Sequence, residues 1–313
     1  MKKIIVSVTN DLYTDQRVDK VCRWLAQQNN EVLLVGRKLK FSKEMPTKPY
    51  STKRMRLIFS KGPLFYAEYN WRLFLLLLFR KKDCLLSNDL DTLLANRIAQ
   101  KLSKCDLVYD SHEYYTEVPE LVARPKVKRI WEKIEAKTFP HLKHVYTVND
   151  SFAQFYFDKY DIPLGVIRNI SPTPNFTSVK SKQDLGLPND KKIIILQGAG
   201  INVDRGGEEM IEAMQHIENA IFLIVGDGDV VPHLKIMVEQ LNLQSKVIFK
   251  GRQPYEVMMN YTLHSDLGLS LDKPNNLNYK FALPNKLFDY IHTDTPVVAS
   301  STVEVSKIVR DYE

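Results

Sequence analysis

Cations placed beside helix starts are where this sequence could hold phosphate. In Pro284-Asn285-Lys286-Leu287-Phe288-Asp289-Tyr290-Ile291, the residues Leu287, Tyr290 and Ile291 share one helical face, and Asn285 after Pro284 suits an N-cap. The first turn of such a helix presents free N–H groups and Lys286 adds a full positive charge, a combination that accommodates phosphate. Asp289, one turn further in, can accept hydrogen bonds from ribose hydroxyls. A second stretch, Gln197-Gly198-Ala199-Gly200 through Arg205-Gly206-Gly207, follows an apolar run. Its glycines permit close backbone approach to a ligand, and Arg205 can grip phosphate with two N–H groups. A third, Tyr109-Asp110-Ser111-His112-Glu113-Tyr114-Tyr115, ends a strand with a histidine beside a carboxylate, a pair suited to moving a proton or positioning a substrate. The plainer readings are a solvated surface helix, a glycine-rich turn and a structural histidine.

The elements that must position these residues alternate along the chain. Strands are expected at Lys3–Thr9, Glu31–Gly36, Leu57–Phe59, Cys84–Ser87, Asp106–Asp110 and His144–Val148, with a short one at Val166-Ile167. Helices are expected between them, including Leu64–Phe79, Leu90–Leu102, Val127–Phe139 and Phe152–Tyr160. Repeated alternation implies a doubly wound parallel sheet. Residues 170–191 are rich in proline and polar residues and lack an apolar period, which marks a linker between a domain at 1–169 and a domain at 192–313. The second domain repeats the pattern, with strands at Ile193–Leu196, Ile221–Val225, Val247–Phe249, Leu267–Leu271 and Val297–Ala299. The fold class is therefore α/β, two Rossmann-like doubly wound domains, with chemistry expected at the carboxyl ends of the strands. Ser87-Asn88-Asp89-Leu90-Asp91 follows a strand and opens a helix, so Asp89 reads as an N-cap. Val225-Gly226-Asp227-Gly228 reads as a turn.

Composition is that of a soluble or peripheral globular protein. Cys22, Cys84 and Cys105 form neither a CxxC pair nor a metal spacing, which points to a reducing compartment such as the cytoplasm and away from a zinc site. The apolar run Leu73–Phe79, bracketed by Arg72 and Arg80, is too short to span a bilayer. The 44 Lys and Arg exceed the 37 Asp and Glu, giving a net charge of +7, and the basic residues gather from Arg37 to Lys61 and from Arg124 to Lys143. With Phe65, Tyr66, Tyr69, Trp71 and Trp131 among or beside them, they suit an anionic membrane surface or an anionic acceptor; solvated charge on helix backs is the alternative. No nucleic-acid-binding signature accompanies them.

In order and placement these segments resemble the family 4 (group 1) retaining glycosyltransferases of the GT-B fold. The resemblance runs from Lys3 to Ser300 and rests on the Arg205-Gly206 loop, Phe249-Lys250-Gly251-Arg252, the Pro284–Tyr290 helix and the strand ending in His112. It implies sugar transfer from a nucleotide diphosphate-sugar, with a UDP- or GDP-sugar as donor, to a hydroxyl of a polysaccharide or lipid-linked glycan. Transfer would retain the anomeric configuration and need no metal. By the same resemblance, the donor is held by Gly200, Arg205, Gly251, Arg252, the backbone of Phe281, Ala282 and Leu283, and Asn285, Lys286 and Asp289. His112, Arg205 and Lys286 are the implied catalytic residues, and Thr14, Asp15, Glu113 and Asn149 lie on the acceptor side. The family's sequence pattern also continues past the point where Glu313 ends this chain, so an incomplete C-terminal domain is expected.

The chain departs from that pattern. The family's first acid falls eight positions before the second, which here is Phe281, and the second acid is Asp289 where Glu is commoner. The loop after the first strand lacks the usual glycine pair. A GT-B sugar-nucleotide epimerase and a non-catalytic nucleotide-binding scaffold on the same fold therefore remain alternatives.

Overall fold

The computed structural model describes residues 1–313 except Thr14, Asn175, Thr177, Ser178, Ala199 and Glu313, and the backbone alone at Tyr312. The chain divides into two compact units, Met1–Arg168 and Asn169–Glu313.

In the first unit the chain runs β1 (Lys3–Asp11), α1 (Gln16–Gln27), β2 (Glu31–Lys38), β3 (Ser51–Arg56), α2 (Gly62–Phe79), β4 (Cys84–Asn88), α3 (Leu90–Leu102), β5 (Asp106–Ser111), α4 (Pro119–Val122), α5 (Pro125–Thr138), β6 (His144–Thr147), α6 (Asp150–Tyr160) and β7 (Gly165–Val166). The strands form one parallel sheet in the order β3-β2-β1-β4-β5-β6-β7. Burial on both faces explains the near-continuous apolar runs of β1 and β4, since helices cover each side of a parallel sheet. One face packs a core of Phe65, Tyr69, Leu73, Leu93 and Phe139, and the other packs Val18 and Cys22 of α1 against Val6 and Leu34.

The second unit runs β8 (Lys192–Gly198), α7 (Gly207–Ala213), β9 (Ala220–Gly226), α8 (Val231–Gln240), β10 (Val247–Phe249), α9 (Tyr255–Leu263), β11 (Leu267–Ser270), α10 (Leu277–Phe281), α11 (Asn285–His292), β12 (Val297–Ala299) and α12 (Val303–Tyr312). Its strands are parallel in the order β10-β9-β8-β11-β12. Within the proline-rich stretch before β8, Leu185 and Leu187 are buried in this unit's core with Ile193, Ile195 and Tyr290. Two α/β units with parallel sheets are the fold class read from the sequence.

Two local readings are corrected and one element is added. The third strand is Ser51–Arg56, not Leu57–Phe59; its polar residues pair with β2 in the register Leu33↔Ser51 to Lys38↔Arg56, and as the sheet's edge it buries little. The N–H groups of Ile58 and Phe59 instead donate to the Glu68 carboxylate. Asn285 is the first residue of α11 and Pro284 its cap, so the Asn285 side chain does not cap the helix. The segment before that helix contains α10, started by Asn276, whose Oδ1 accepts the Tyr279 N–H at 2.8 Å.

Candidate functional site

Arg205, in the loop after β8, and Lys286, at the start of α11, meet beside the carboxyl end of β11. Arg205 precedes α7, and Gly206 between them has φ +81°. A Cβ there would lie 2.3 Å from Leu271 Cβ, so only glycine lets the Arg205 loop close onto the end of β11. Asp272, two residues past β11 and 3% exposed, faces both cations: its Oδ1 is 3.6 Å from Lys286 Nζ and 3.9 Å from Arg205 Nε. The Arg205 guanidinium also stacks 4.9 Å over the Tyr279 ring. Lys286 is buried, and burial lowers its pKa against the upward pull of Asp272. The plainer reading of a solvated surface lysine is not met: Lys286 is a partly compensated charge inside the protein.

Asp289 projects from α11 into the same unit's interior. Gln197 Nε2 donates to its Oδ2 at 3.0 Å and Tyr255 Oη to its Oδ1 at 3.2 Å, while Gln197 Oε1 accepts from Thr262. Burial raises the Asp289 pKa, and the hydrogen bonds from Ser171, Gln197 and Tyr255 work against that rise. The carboxylate is thus held in one orientation by hydrogen bonds from Ser171, Gln197 and Tyr255.

The other residues expected on the donor side are more open. Gly251 has φ +62° with nothing within 4 Å of a built Cβ, and it and Arg252 are exposed, as is Asn285. Phe281 ends α10, and Ala282 and Leu283 are half-buried in the link to α11. Gly200 lies beside the Asn202 side chain.

In the first unit, the ends of β1, β4 and β5 gather a buried charge cluster. Arg17 forms a close ion pair with Asp110, donates to Asn88 Oδ1 at 3.3 Å and lies 3.9 Å from Asp89 Oδ2. His112 Nδ1 is 2.6 Å from Asp89 Oδ1. Burial and Arg17 both disfavour the imidazolium, but Asp89 and then Glu113 outweigh them and raise His112 to about 9. Burial likewise opposes the Asp89 carboxylate, yet His112 and Arg17 hold its pKa below the ordinary value. Two residues on, burial and then the Asp89 charge push Asp91 up to about 7, while Thr9 Oγ1 donates to it at 2.5 Å. Asp89 does not cap α3 with its side chain: its backbone stands at φ 59°, ψ 168°, a region almost reserved for glycine, and its carboxylate turns to His112. The N-cap reading of Asp89 is therefore corrected. The signal was present as two aspartates flanking Leu90 after a strand, but nothing local tied them to His112 or Arg17.

The acceptor-side residues divide. Asp15 caps α1, accepting the Val18 N–H at 3.0 Å, and also receives the Asn10 amide at 2.9 Å. Asn149 caps α6 through the Phe152 N–H at 2.8 Å and is fully buried. Glu113 adjoins the His112 cluster, its carbonyl accepting from Ser111 Oγ at 3.0 Å. Thr14 lies outside the described residues. Asp272, Gln197, Tyr255 and Arg17 stand in or beside stretches singled out in the sequence, but no individual role in the site was read for them.

Among the described residues no helix is long and apolar enough to cross a membrane. No curated protein matches the sequence. Sucrose-phosphate synthase from Thermosynechococcus elongatus is a similar solved structure, with a TM-score of 0.76 at 16% identity over 99% of this chain and 84% of that one. HepE from Anabaena, solved with UDP-glucose, gives 0.70 at 15% identity over 98% and 83%. MnaA from S. aureus, solved with UDP, gives 0.63 at 12% identity over 99% and 82%. These likenesses establish the two-unit GT-B fold. The model for "Glycosyl transferases group 1" matches residues 178–313, the segment that contains Arg205, Asp272, Lys286 and Asp289. Over residues 178–313 the chain is thus similar to the glycosyl transferases group 1 family.

Proposed function

We propose that the protein transfers a sugar from a UDP-sugar to a hydroxyl of a polysaccharide or lipid-linked glycan, with retention at the anomeric carbon. The observation that carries this reading is the convergence of Arg205 and Lys286 on Asp272, in the family-matched segment that also holds the oriented Asp289. UDP is preferred to GDP because the structurally similar HepE and MnaA were solved with UDP-glucose and UDP.

Arg205 and Lys286 are assigned to the donor diphosphate and Asp289 to the ribose. Gly200, Gly251, Arg252, Asn285 and the backbone of Phe281, Ala282 and Leu283 complete the donor side. In the reaction the bond from the anomeric carbon to the diphosphate oxygen breaks and the bond to the acceptor oxygen forms on the same face. The acceptor proton passes to the leaving phosphate. The two cations offset the charge that builds on that phosphate, which stabilises the transition state more than the ground state. No metal is assigned a role. His112, held cationic by Asp89, acts by donating a hydrogen bond rather than by removing a proton. Thr14, Asp15, Glu113 and Asn149 are assigned to the acceptor side, Asp15 and Asn149 through the helix starts they cap. The protein would work in the cytoplasm, peripherally on the inner membrane face.

The test is thermal unfolding with UDP, GDP, ADP, CDP and TDP, for the wild type and Arg205→Ala. A rise with UDP that the variant loses is expected. No rise with any nucleotide would remove the donor site and favour a scaffold.

A further inference from the structure

We infer that the outward face of α2 docks the protein onto an anionic phospholipid bilayer. Helix α2 is apolar nearly all round, a pattern usual for helices buried on every side. Only one side is buried here: Phe65, Tyr69, Leu73 and Leu77 enter the core. The opposite stripe, at helical spacing, exposes Leu64 by 58%, Trp71 by 62% and Phe79 by 81%, with Leu75 and Leu78 half-exposed between them. The loop before the helix extends the stripe. Glu68 accepts the Ile58 N–H at 2.9 Å and the Phe59 N–H at 3.0 Å, pinning the loop against α2 and leaving Ile58 79% exposed. A contiguous apolar patch of this kind marks a surface that meets something else.

The charges around it say what that is. Lys61 stands at the start of the helix, Arg80 and Lys81 at its end, and Arg56 on the neighbouring strand, all exposed. Glu68, the one acid within the helix, is paired with Arg72 at 2.7 Å and spent on the loop amides. An apolar stripe bearing a tryptophan and framed by cations is the arrangement of a helix lying in a bilayer interface, its side chains in the acyl region and its cations among anionic headgroups. A second copy fits poorly, because a two-fold contact would set the same cations against each other. The inference extends the membrane part of the proposed function and stands apart from its nucleotide part.

The experiment is co-sedimentation with phosphatidylcholine vesicles, with and without one-third phosphatidylglycerol. It compares the wild type with Trp71→Ser, Ile58→Ser and the pair Lys61→Gln, Lys81→Gln. Binding is expected to the anionic vesicles only and to weaken with salt. Each serine variant should lose about tenfold, and the glutamine pair should lose affinity and flatten the salt dependence. These side chains are exposed, so the unfolding midpoint and the UDP response should match the wild type, which separates loss of docking from loss of fold or of the donor site. Absence of binding to anionic vesicles, or binding equal in all variants, overturns the inference. So does light scattering that shows a wild-type dimer turned into a monomer by Trp71→Ser, which would assign the face to a second copy.

Discussion

Asp89 occupies a backbone conformation suited to glycine and uses it to bring its carboxylate within 2.6 Å of His112 Nδ1. Such strain costs about 1–3 kcal/mol and persists only where surrounding contacts enforce it, here the Arg17, Asp110 and His112 cluster. Asp89→Asn removes the largest upward influence on His112 and leaves burial and Arg17 opposed only by Glu113, the last and smallest of the influences. The His112 pKa should fall from about 9 to below its ordinary 6.5. NMR titration of the ring protons, assigned with His112→Gln, checks this; a pKa unchanged in Asp89→Asn would show that the pair is not formed.

The same cluster sets a pH dependence of stability. His112 has a folded pKa raised from 6.5 to about 9, so its contribution is full below pH 6.5 and is lost as pH rises through 9. Asp91, raised from 3.8 to about 7, acts in the same sense, since ionising it inside the fold becomes a penalty as pH climbs from about 4 past 7. Both make the first unit less stable on the alkaline side. Urea titrations should show a decline of roughly 4 kcal/mol between pH 6 and pH 10, about 3 of it from His112, that His112→Gln largely removes.

Lys286→Met keeps the volume of a buried side chain and deletes its charge. The variant should remain folded, because burial disfavours the ammonium and Asp272 retains Arg205. Its affinity for UDP should drop tenfold or more, about 1.4 kcal/mol, by calorimetric titration. Unaltered affinity would remove Lys286 from the donor site.

Gly206→Ala tests the loop that places Arg205. The positive φ and the 2.3 Å approach to Leu271 Cβ together should cost about 2–3 kcal/mol and weaken UDP binding by displacing Arg205. Thermal unfolding and the same calorimetry check both effects, and an unperturbed midpoint would mean the loop closes without glycine.

The fold was legible where burial writes a local pattern. The fully buried β9 is a continuous apolar run, and α3 occupies Leu90–Leu102 as its spacing predicts. It was illegible at the edge strand β3, whose polar residues are placed by pairing with β2 rather than by any period of their own. The site divides on the same line. Arg205, Lys286 and Asp289 stand beside glycines, helix starts and strand ends that punctuate the sequence. Asp272, Gln197 and Arg17 are defined by partners far along the chain, Gln197 by Asp289 and Arg17 by Asp110. No local rule carries such pairings, and the Asp89 conformation opposes the local rule outright.

The strand order has a consequence for synthesis. β1 pairs with β2 through Lys3↔Glu31 and with β4 through Ile4↔Cys84, so the sheet's earliest strand in chain order is an interior strand. Its far edge has no native partner until some eighty residues later, and β8 waits similarly for β11. During translation an apolar strand edge therefore stands open, the kind of edge that invites wrong pairing and that chaperones shield. A nascent chain stalled just before Cys84 would expose this edge of β1; release of β4 covers it and passes the open edge to β4 until β5 follows some twenty residues later.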